Sequence, residues 1–425
     1  MKPGFYTIMA AQFFSSLADN ALLIAAIALL FQLHSPEWMT PLLKLFFVVS
    51  YVILAPFVGA FADTFPKGRV MFVTNTIKIG GCLMMFAGSH PLLAYAVVGL
   101  GAAAYSPAKY GILTELLPHD KLVEANGWIE GLTVMSIIMG TVVGGILIAP
   151  GTAEYLMKLH IPGITPRLDT PAEAAILVIA LGYVIAAIFN LRIPLTGAKY
   201  ESQLNHPIIM TRNFYGCVKK LWSDRLGQIS LGVTTLFWGA GATLQFIVLK
   251  WASVALDLSL DKGAILQGVC AFGVAGGAIV AARYIPLKKS MLVLPMGIAM
   301  GAVTMMMTLV NELNMAYMLI VVIGALSGFF VVPMNALLQH RGHVLMSAGR
   351  SIAIQNFNEN ISVLVMLGLY AVLISLDVHV NDVILLFGFF VMASMFLMIL
   401  RHRYNQRMYN VESLIGEEKP VGVVH

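Results

Sequence analysis

Long apolar stretches recur along almost the whole sequence, and this repetition most constrains what the chain can fold into. Runs of about 20 apolar residues match the length of a helix that crosses the hydrocarbon core of a bilayer. Charged residues make up 11% of the chain, too few to cover the surface of a soluble protein, whose domains have about 25%. The runs are continuous rather than alternating, which argues against a membrane β-barrel. We therefore expect an all-α polytopic membrane protein.

Twelve membrane-spanning segments are predicted, and most are joined by short connections rich in proline, glycine, asparagine and charge. They cover residues 7–33, 42–62, 69–88, 91–116, 122–149, 173–194, 227–251, 263–284, 289–310, 315–338, 350–376 and 382–402. The expected organisation is an N-terminal six-helix half (1–194), a linker (195–226), a C-terminal six-helix half (227–403) and a polar tail (404–425). Such an even division is typical of transporters built from two related halves.

Two connections are longer than the others. Residues 150–172 contain four prolines and are expected to form an ordered exterior loop. Within the linker, the stretch 208–222 alternates apolar and basic residues in a pattern that favours a helix lying in the membrane interface.

The distribution of lysine and arginine predicts the orientation. Most of the 26 basic residues fall in one alternating set of loops, whereas only Lys158, Arg167 and Lys262 fall in the other set. Because basic loops face the cytoplasm, both termini and the linker are expected there. These basic residues form no long tract, so nucleic acid is not an expected partner. The sequence shows no Walker A motif or metal-ligating cluster, so no cofactor is expected.

The loop GAFADTFPKGR, between the second and third segments, contains Gly59, Asp63, Lys67 and Arg69. Its spacing resembles the loop motif of the major facilitator superfamily, and this resemblance implies the twelve-helix major facilitator fold. It also implies that Asp63 meets the positive N-terminus of the eleventh segment, near Arg350. Such a contact would form a conformational latch at the cytoplasmic ends, with Lys67 and Arg69 holding the loop.

Polar residues inside the first and fourth segments are candidates for substrate binding. A charge half-way across the membrane, such as Asp19, costs about 2.5–3.5 kcal/mol, so Asp19 must face an aqueous cavity, face a cation or be protonated. Lys109 follows the helix-kinking Pro107 and can bind a phosphate or pair with a carboxylate such as Asp19 or Glu115. The neighbours of the two charges, Asn20 and Tyr110, belong to the same candidate site.

Other polar residues lie in the third, seventh and eleventh segments. Lys78 is expected to extend toward the cytoplasmic headgroups, and Gln245 is expected to face the cavity. The eleventh segment carries Gln355, Asn356 and Glu359, which are too polar to face lipid. We expect this cluster to contribute to the substrate site, with some members packing against neighbouring helices.

Several stretches together resemble the bacterial lysophospholipid transporters. These are QFFSSLADNALL, APFVGAFAD, GAAAYSPAKYGILTELLP, LVEANG, LFWGAGATL, GFFVVPMNALLQ and AIQNFNEN. The resemblance implies transport of lysophosphatidylethanolamine and lysophosphatidylglycerol from the outer to the inner leaflet of the bacterial inner membrane. An acyltransferase/acyl-carrier-protein synthetase, the implied functional partner, then restores the second chain. The resemblance assigns cavity charges to Asp19 and Lys109, and members carry Arg where Gln245 stands.

We hypothesise that the protein is an alternating-access transporter that moves a lysophospholipid and contacts the surrounding membrane lipids. Lys109 would bind the phosphate, whereas Asp19 and Glu359 would bind the ethanolamine ammonium. The alternative is a proton-coupled efflux or solute carrier of the same superfamily, in which these carboxylates titrate. A membrane enzyme is not expected, because the sequence offers no nucleophile or paired acid and base.

Overall fold

The computed structural model describes residues 3–35, 39–158, 170–197, 206–258 and 260–416, and α-helices dominate all five ranges. The helices are α1 (Pro3–Gln32), α2 (Met39–Thr64), α3 (Lys67–Phe86), α4 (Pro91–Leu116), α5 (Leu122–Ile148), α6 (Pro150–Lys158), α7 (Pro171–Leu191), α8 (Pro207–Ser223), α9 (Gly227–Ala255), α10 (Leu260–Tyr284), α11 (Leu294–Met305), α12 (Leu313–Leu345), α13 (Ala348–Ser375) and α14 (Val380–Tyr409). The predicted all-α fold class is confirmed.

Each of the twelve predicted segments coincides with helical structure, and within the described ranges eleven segments are long and apolar enough to cross a membrane. The ninth combines α11 with flanking 3₁₀ turns, over residues Leu287–Leu309. The exception is α3, a helix of 20 residues with a less apolar sequence. Thr74, Asn75 and Lys78 account for much of this difference, and all three are buried inside the protein.

The connection 150–172 differs from the predicted loop. Residues Pro150–Lys158 form α6, because Pro150 has the backbone angle of a first helical position. Glu154 and Lys158 pair one turn apart at 2.6 Å. A capping box between Thr170 and Glu173 then starts α7, and residues 159–169 of the predicted loop lie outside the described ranges.

The linker contains α8, at the residues for which the sequence predicts an interfacial helix. Its apolar residues Ile208 and Ile209 are exposed, as expected for a helix with one face toward lipid. Its position in the membrane interface stays a prediction.

The chain forms two compact units. The first contains residues 1–112 and 135–211, and the second contains residues 113–134 and 212–425. The core of the first unit joins residues of α1, α2, α3, α4 and α7, and small residues of α1 such as Ala18 and Ala21 are fully buried in it. These small side chains let the helix backbones approach closely.

The second unit contains an unusually close crossing of α10 and α12. Gly273 and Gly277 of α10 face Gly324 and Gly328 of α12. A Cβ atom added at Gly277 would overlap the backbone oxygen of Ala325. Both helices therefore carry a glycine pair four residues apart, the spacing that allows membrane helices to pack backbone to backbone.

Candidate substrate site

A buried ion pair occupies the middle of the first unit. Asp19 lies near the centre of α1, and Lys78 lies near the centre of α3. The Lys78 Nζ is 2.8 Å from both carboxylate oxygens of Asp19. The Lys78 side chain is 1% exposed, whereas that of Asp19 is 21% exposed. The cation is thus enclosed by protein, and the carboxylate is the accessible end of the pair.

Polar and aromatic groups surround this ion pair. The Tyr183 hydroxyl of α7 donates to Asp19 Oδ1 at 2.7 Å. The Lys78 ammonium donates to Ser15 Oγ at 3.1 Å and lies 5.1 Å from the centre of the Tyr105 ring. Ser15 in turn donates to Asn75 Oδ1 at 2.8 Å. Side chains from four helices therefore fix both charges, which offsets the cost of removing them from water.

The structure corrects one expectation about these charges. Lys78 does not extend to the headgroups, because its ammonium binds Asp19 in the protein interior. The partner of Lys109, for which a phosphate, Asp19 and Glu115 are the candidates, stays a prediction. Lys109 is half-buried and its Nζ lies 4.2 Å from the centre of the Tyr110 ring. Asn20 turns back onto its own helix and donates to the Ser16 oxygen at 2.8 Å.

Sequence reasoning missed Lys78, Tyr183, Ser15 and Asn75 as members of the network. A signal for Lys78 was present in the sequence, because it is the only charged residue between positions 70 and 88, inside the third predicted segment. Asn75 lies one turn before it on α3, at the spacing of a shared polar face. Tyr183 offered no comparable signal, since a tyrosine in a membrane helix is common.

The second unit contains a cluster of amides and one carboxylate. Gln355 of α13 donates to Glu359 Oε1 at 2.7 Å and to Asn335 Oδ1 of α12 at 3.1 Å. Gln355, Asn356 and Glu359 are all buried. The structure thus brings Gln355 and Glu359 together, one turn apart, and adds Asn335, which the sequence analysis did not select.

A second amide pair in this unit joins α5 to α12. Asn126 Nδ2 donates to Gln339 Oε1, and Gln339 Nε2 donates to Asn126 Oδ1, both at 2.9 Å. Gly127, the next residue of α5, packs directly against Ala282 of α10. These contacts hold the first half of α5 inside the second unit.

Gln245 is exposed on α9 and pairs with Gln267 of α10. Its Nε2 donates to Gln267 Oε1 at 2.9 Å, and Gln267 Nε2 donates to the Gln245 backbone oxygen at the same distance. The side chain is therefore held in one orientation while it stays accessible, as a ligand contact requires.

The residues of the predicted latch fall in different units. In the first unit, the Lys67 ammonium donates to Asp63 Oδ1 at 2.8 Å, and both side chains are buried. Gly59 is also buried, while Arg69 is exposed. In the second unit, Arg350 lies in the first turn of α13. The pairing of Lys67 with Asp63 agrees with the expected loop geometry, and the contact with Arg350 stays a prediction.

The chemistry available at these sites is the binding of charged and polar groups. Within the described ranges, no three His, Cys, Asp or Glu side chains are arranged to hold a metal ion. The Asp19–Lys78 pair presents opposite charges a few ångströms apart, and the Gln355–Glu359 cluster presents amide donors beside a carboxylate. Such groups suit a ligand that carries both signs of charge.

Comparison with known proteins defines the class of transporter. The family model described as "Major Facilitator Superfamily" matches residues 8–366. The E. coli fucose:proton symporter has the same fold with a TM-score of 0.71, at 11% identity over 93% of this chain and 97% of that one. The protein is therefore a major facilitator transporter rather than an enzyme.

Two relatives show which family within the superfamily the chain resembles. The lysophospholipid transporter LplT of Yersinia enterocolitica is 42% identical over 381 residues, which are 89% of each chain. The protein of the same name from Yersinia pestis (strain Pestoides F) is 44% identical over 374 residues, 88% of this chain and 87% of that one. The chain belongs to this family of lysophospholipid transporters, and the predicted family is confirmed.

Proposed function

We propose that this protein moves lysophosphatidylethanolamine and lysophosphatidylglycerol from the outer to the inner leaflet of the bacterial inner membrane. The observation that carries the proposal is the 42–44% identity to lysophospholipid transporters over nearly nine-tenths of the chain. The Asp19–Lys78 pair adds a physical argument, because it offers a lipid headgroup an accessible carboxylate whose charge is already compensated inside an apolar protein.

The headgroup binds in the first unit, where its charged groups interact with Asp19 and Lys78. The ethanolamine ammonium approaches the exposed side of Asp19 and shares its carboxylate with Lys78. The phosphate is attracted by Lys78 and by Lys109, which lies on α4 of the same unit. Because the protein already provides a compensated pair, a zwitterionic headgroup can enter without leaving an isolated charge in the apolar interior.

Polar residues of the second unit are the other candidates for contacts with the lipid. Glu359 is a second partner for the ammonium, while Gln355, Asn356 and Gln245 bind phosphate and glycerol oxygens. The acyl chain contacts apolar surface, to which the 25 methionines of the chain contribute because their side chains adapt to different shapes.

The membrane orientation follows from the basic loops. Both termini and the linker face the cytoplasm, and α8 lies in the cytoplasmic interface. The latch between Asp63 and Arg350 that the superfamily resemblance implies stays a prediction. The delivered lysolipid is re-acylated by the partner acyltransferase/acyl-carrier-protein synthetase.

The test is uptake of labelled lysophosphatidylethanolamine into vesicles that contain the purified protein. Albumin added outside extracts lysolipid from the outer leaflet, so the protected fraction measures transfer to the inner leaflet. We expect the wild type to protect the label and Asp19→Asn to reduce the initial rate at least about tenfold, the effect of losing one charge-assisted contact.

Lys250→Met is the matched control, because Lys250 is an exposed cation at the far end of α9, outside the proposed site. It should transport at the wild-type rate. Wild-type vesicles that protect no lysolipid but concentrate a soluble substrate in a proton gradient would replace the lipid proposal with the solute-carrier alternative. Full activity of a folded Asp19→Asn variant would instead contradict the site assignment.

A further inference from the structure

A cavity of about 460 Å³ lies in the second unit, where the end of α14 meets the start of α11. Its wall on α14 is formed by Ile399, His402, Arg403, Gln406 and Arg407. It lies close to the end of the last membrane-spanning helix, far along the chain from the polar cluster of α12 and α13. None of the proposed transport residues lines this cavity, so the proposed function gives it no role.

The C-terminal segment closes one side of this cavity. Asn410 adopts a left-handed conformation that ends α14, and the chain then turns back in a 3₁₀ turn, Val411–Leu414. Glu412 is fixed there by two contacts, since its backbone N–H donates to Gln406 Oε1 at 2.9 Å and its Oε1 lies 3.1 Å from His402 Nε2. The cavity is therefore shaped by specific contacts rather than by a loose chain end.

The charges lining the cavity are mainly positive. Arg403 and Arg407 are one helical turn apart, so both side chains project from the same face of α14. In the described part of the chain neither arginine has a carboxylate partner, whereas the carboxylate of Glu412 is already bonded to His402. Lys288 and Lys289 are exposed on the 3₁₀ turn that leads into α11 and add to the positive potential.

The rest of the lining is apolar. Met291 and Leu294 are buried at its base, and Leu292 is exposed at its edge. On α14, the exposed Phe396 lies about two turns before Arg403 on the same side of the helix. Paired guanidinium groups beside an apolar helix surface are the arrangement that suits a phosphate with attached acyl chains.

We infer that this cavity binds the headgroup of an anionic diacyl phospholipid from the cytoplasmic leaflet. The phosphate pairs with Arg403 and Arg407, and the acyl chains lie along α11 and α14. The lipid is a bound partner rather than the transported substrate, because the site lies apart from the proposed transport residues. The assignment of the leaflet rests on the proposed orientation, whereas the binding itself does not.

The test measures binding of phosphatidylglycerol to the purified, delipidated protein in detergent by native mass spectrometry. We expect the wild type to prefer phosphatidylglycerol over phosphatidylethanolamine. The double variant Arg403→Gln/Arg407→Gln should lose affinity for phosphatidylglycerol by about tenfold or more, because each basic residue contributes separately to attraction of an anionic lipid.

The matched control is Arg192→Gln/Arg283→Gln, which removes two exposed cations that do not line the cavity. This variant should bind phosphatidylglycerol like the wild type. An equal loss in both double variants would overturn the inference, because it would indicate general attraction to net positive charge. Displacement of the lipid by millimolar glycerol phosphate would also overturn it, since that result indicates a site for a small anion.

Lysolipid uptake by the same preparations separates this inference from the proposed function. If the wild type shows no uptake but binds phosphatidylglycerol through Arg403 and Arg407, the lipid site stands and the transport proposal fails. If uptake is normal and the lipid preference is absent, the transport proposal stands and the lipid site fails.

Discussion

The two candidate site clusters, one in each unit, keep polar side chains inside an apolar environment in different ways. In the first unit, Asp19 and Lys78 compensate each other across two helices, and Tyr183 adds a hydrogen bond from a third. In the second unit, Gln355 bonds Glu359 of its own helix and Asn335 of a neighbour. The first arrangement depends on full opposite charges, whereas the second depends largely on amides.

This difference predicts how each cluster responds when one group is removed. Loss of one member of a buried ion pair leaves an uncompensated charge, which destabilises far more than loss of a neutral hydrogen bond. An amide cluster can rearrange its donors and acceptors, because each amide carries both. The Asp19–Lys78 cluster should therefore be sensitive to single substitutions and tolerant of paired ones.

The largest effect is expected for Lys78→Met. It leaves Asp19 without its cation, and we expect the free energy of unfolding to fall by about 3 kcal/mol. This is the lower end of the range for a broken buried pair, because the Asp19 side chain is 21% exposed. Denaturant unfolding in detergent measures the loss, and vesicle uptake of lysolipid should be abolished.

The double variant Asp19→Asn/Lys78→Met separates stability from transport. Removing both charges should recover much of the stability, since no isolated charge remains, but uptake should stay absent. Wild-type uptake by this variant would show that the pair serves the fold alone, and the comparison between the units would lose its functional meaning.

A smaller effect is expected for Asn126→Ala in the second unit. It removes both hydrogen bonds to Gln339 and should lower the free energy of unfolding by about 1–2 kcal/mol, as for hydrogen bonds between membrane helices. Asn20→Ala is the comparison in the first unit, because the Asn20 amide bonds the backbone of its own helix. Equal losses in the two unfolding curves would contradict the importance of the pairing between α5 and α12.

Glu359→Gln should disturb the fold still less, by under about 1 kcal/mol, because the new amide oxygen can still accept from Gln355. Its effect should be on selectivity. Without the carboxylate, uptake of lysophosphatidylethanolamine should fall more than uptake of lysophosphatidylglycerol, which has no ammonium. An equal fall for both lipids would assign Glu359 a structural role instead.

The fold was predictable from the sequence because a membrane helix depends on a local property, a run of about 20 apolar residues. Even α3 was placed correctly, although Asn75 and Lys78 make it too polar to be one of the eleven segments that are apolar enough to cross a membrane. The loop 150–172 was predicted less well, because proline at position 150 is compatible with either a loop or the first turn of a helix.

The partners of the site charges were harder to predict, because they depend on how the helices rotate and pack. Asp19 lies near the middle of its helix, and Lys109 on α4 was a candidate for its partner, but Lys78 on α3 binds it. Lys78 and Lys109 both lie inside predicted membrane-spanning segments. Their positions along the chain therefore do not show which of them pairs with Asp19. Tyr183 is separated from Asp19 by 164 residues, and only the folded structure brings them together.

The smallest expected effect concerns Gln245, where relatives resembled by this sequence carry Arg. Gln245→Arg should fold normally, since the position is exposed and a guanidinium can still donate to Gln267 Oε1. The added charge should favour the anionic headgroup, so the ratio of lysophosphatidylglycerol to lysophosphatidylethanolamine uptake should rise about threefold to tenfold.

Both lipids are measured in the same vesicles, with Gln245→Met as the uncharged control that should leave the ratio unchanged. A ratio unaffected by Arg would place Gln245 outside the headgroup path, and selectivity would then rest on Asp19, Lys109 and Glu359.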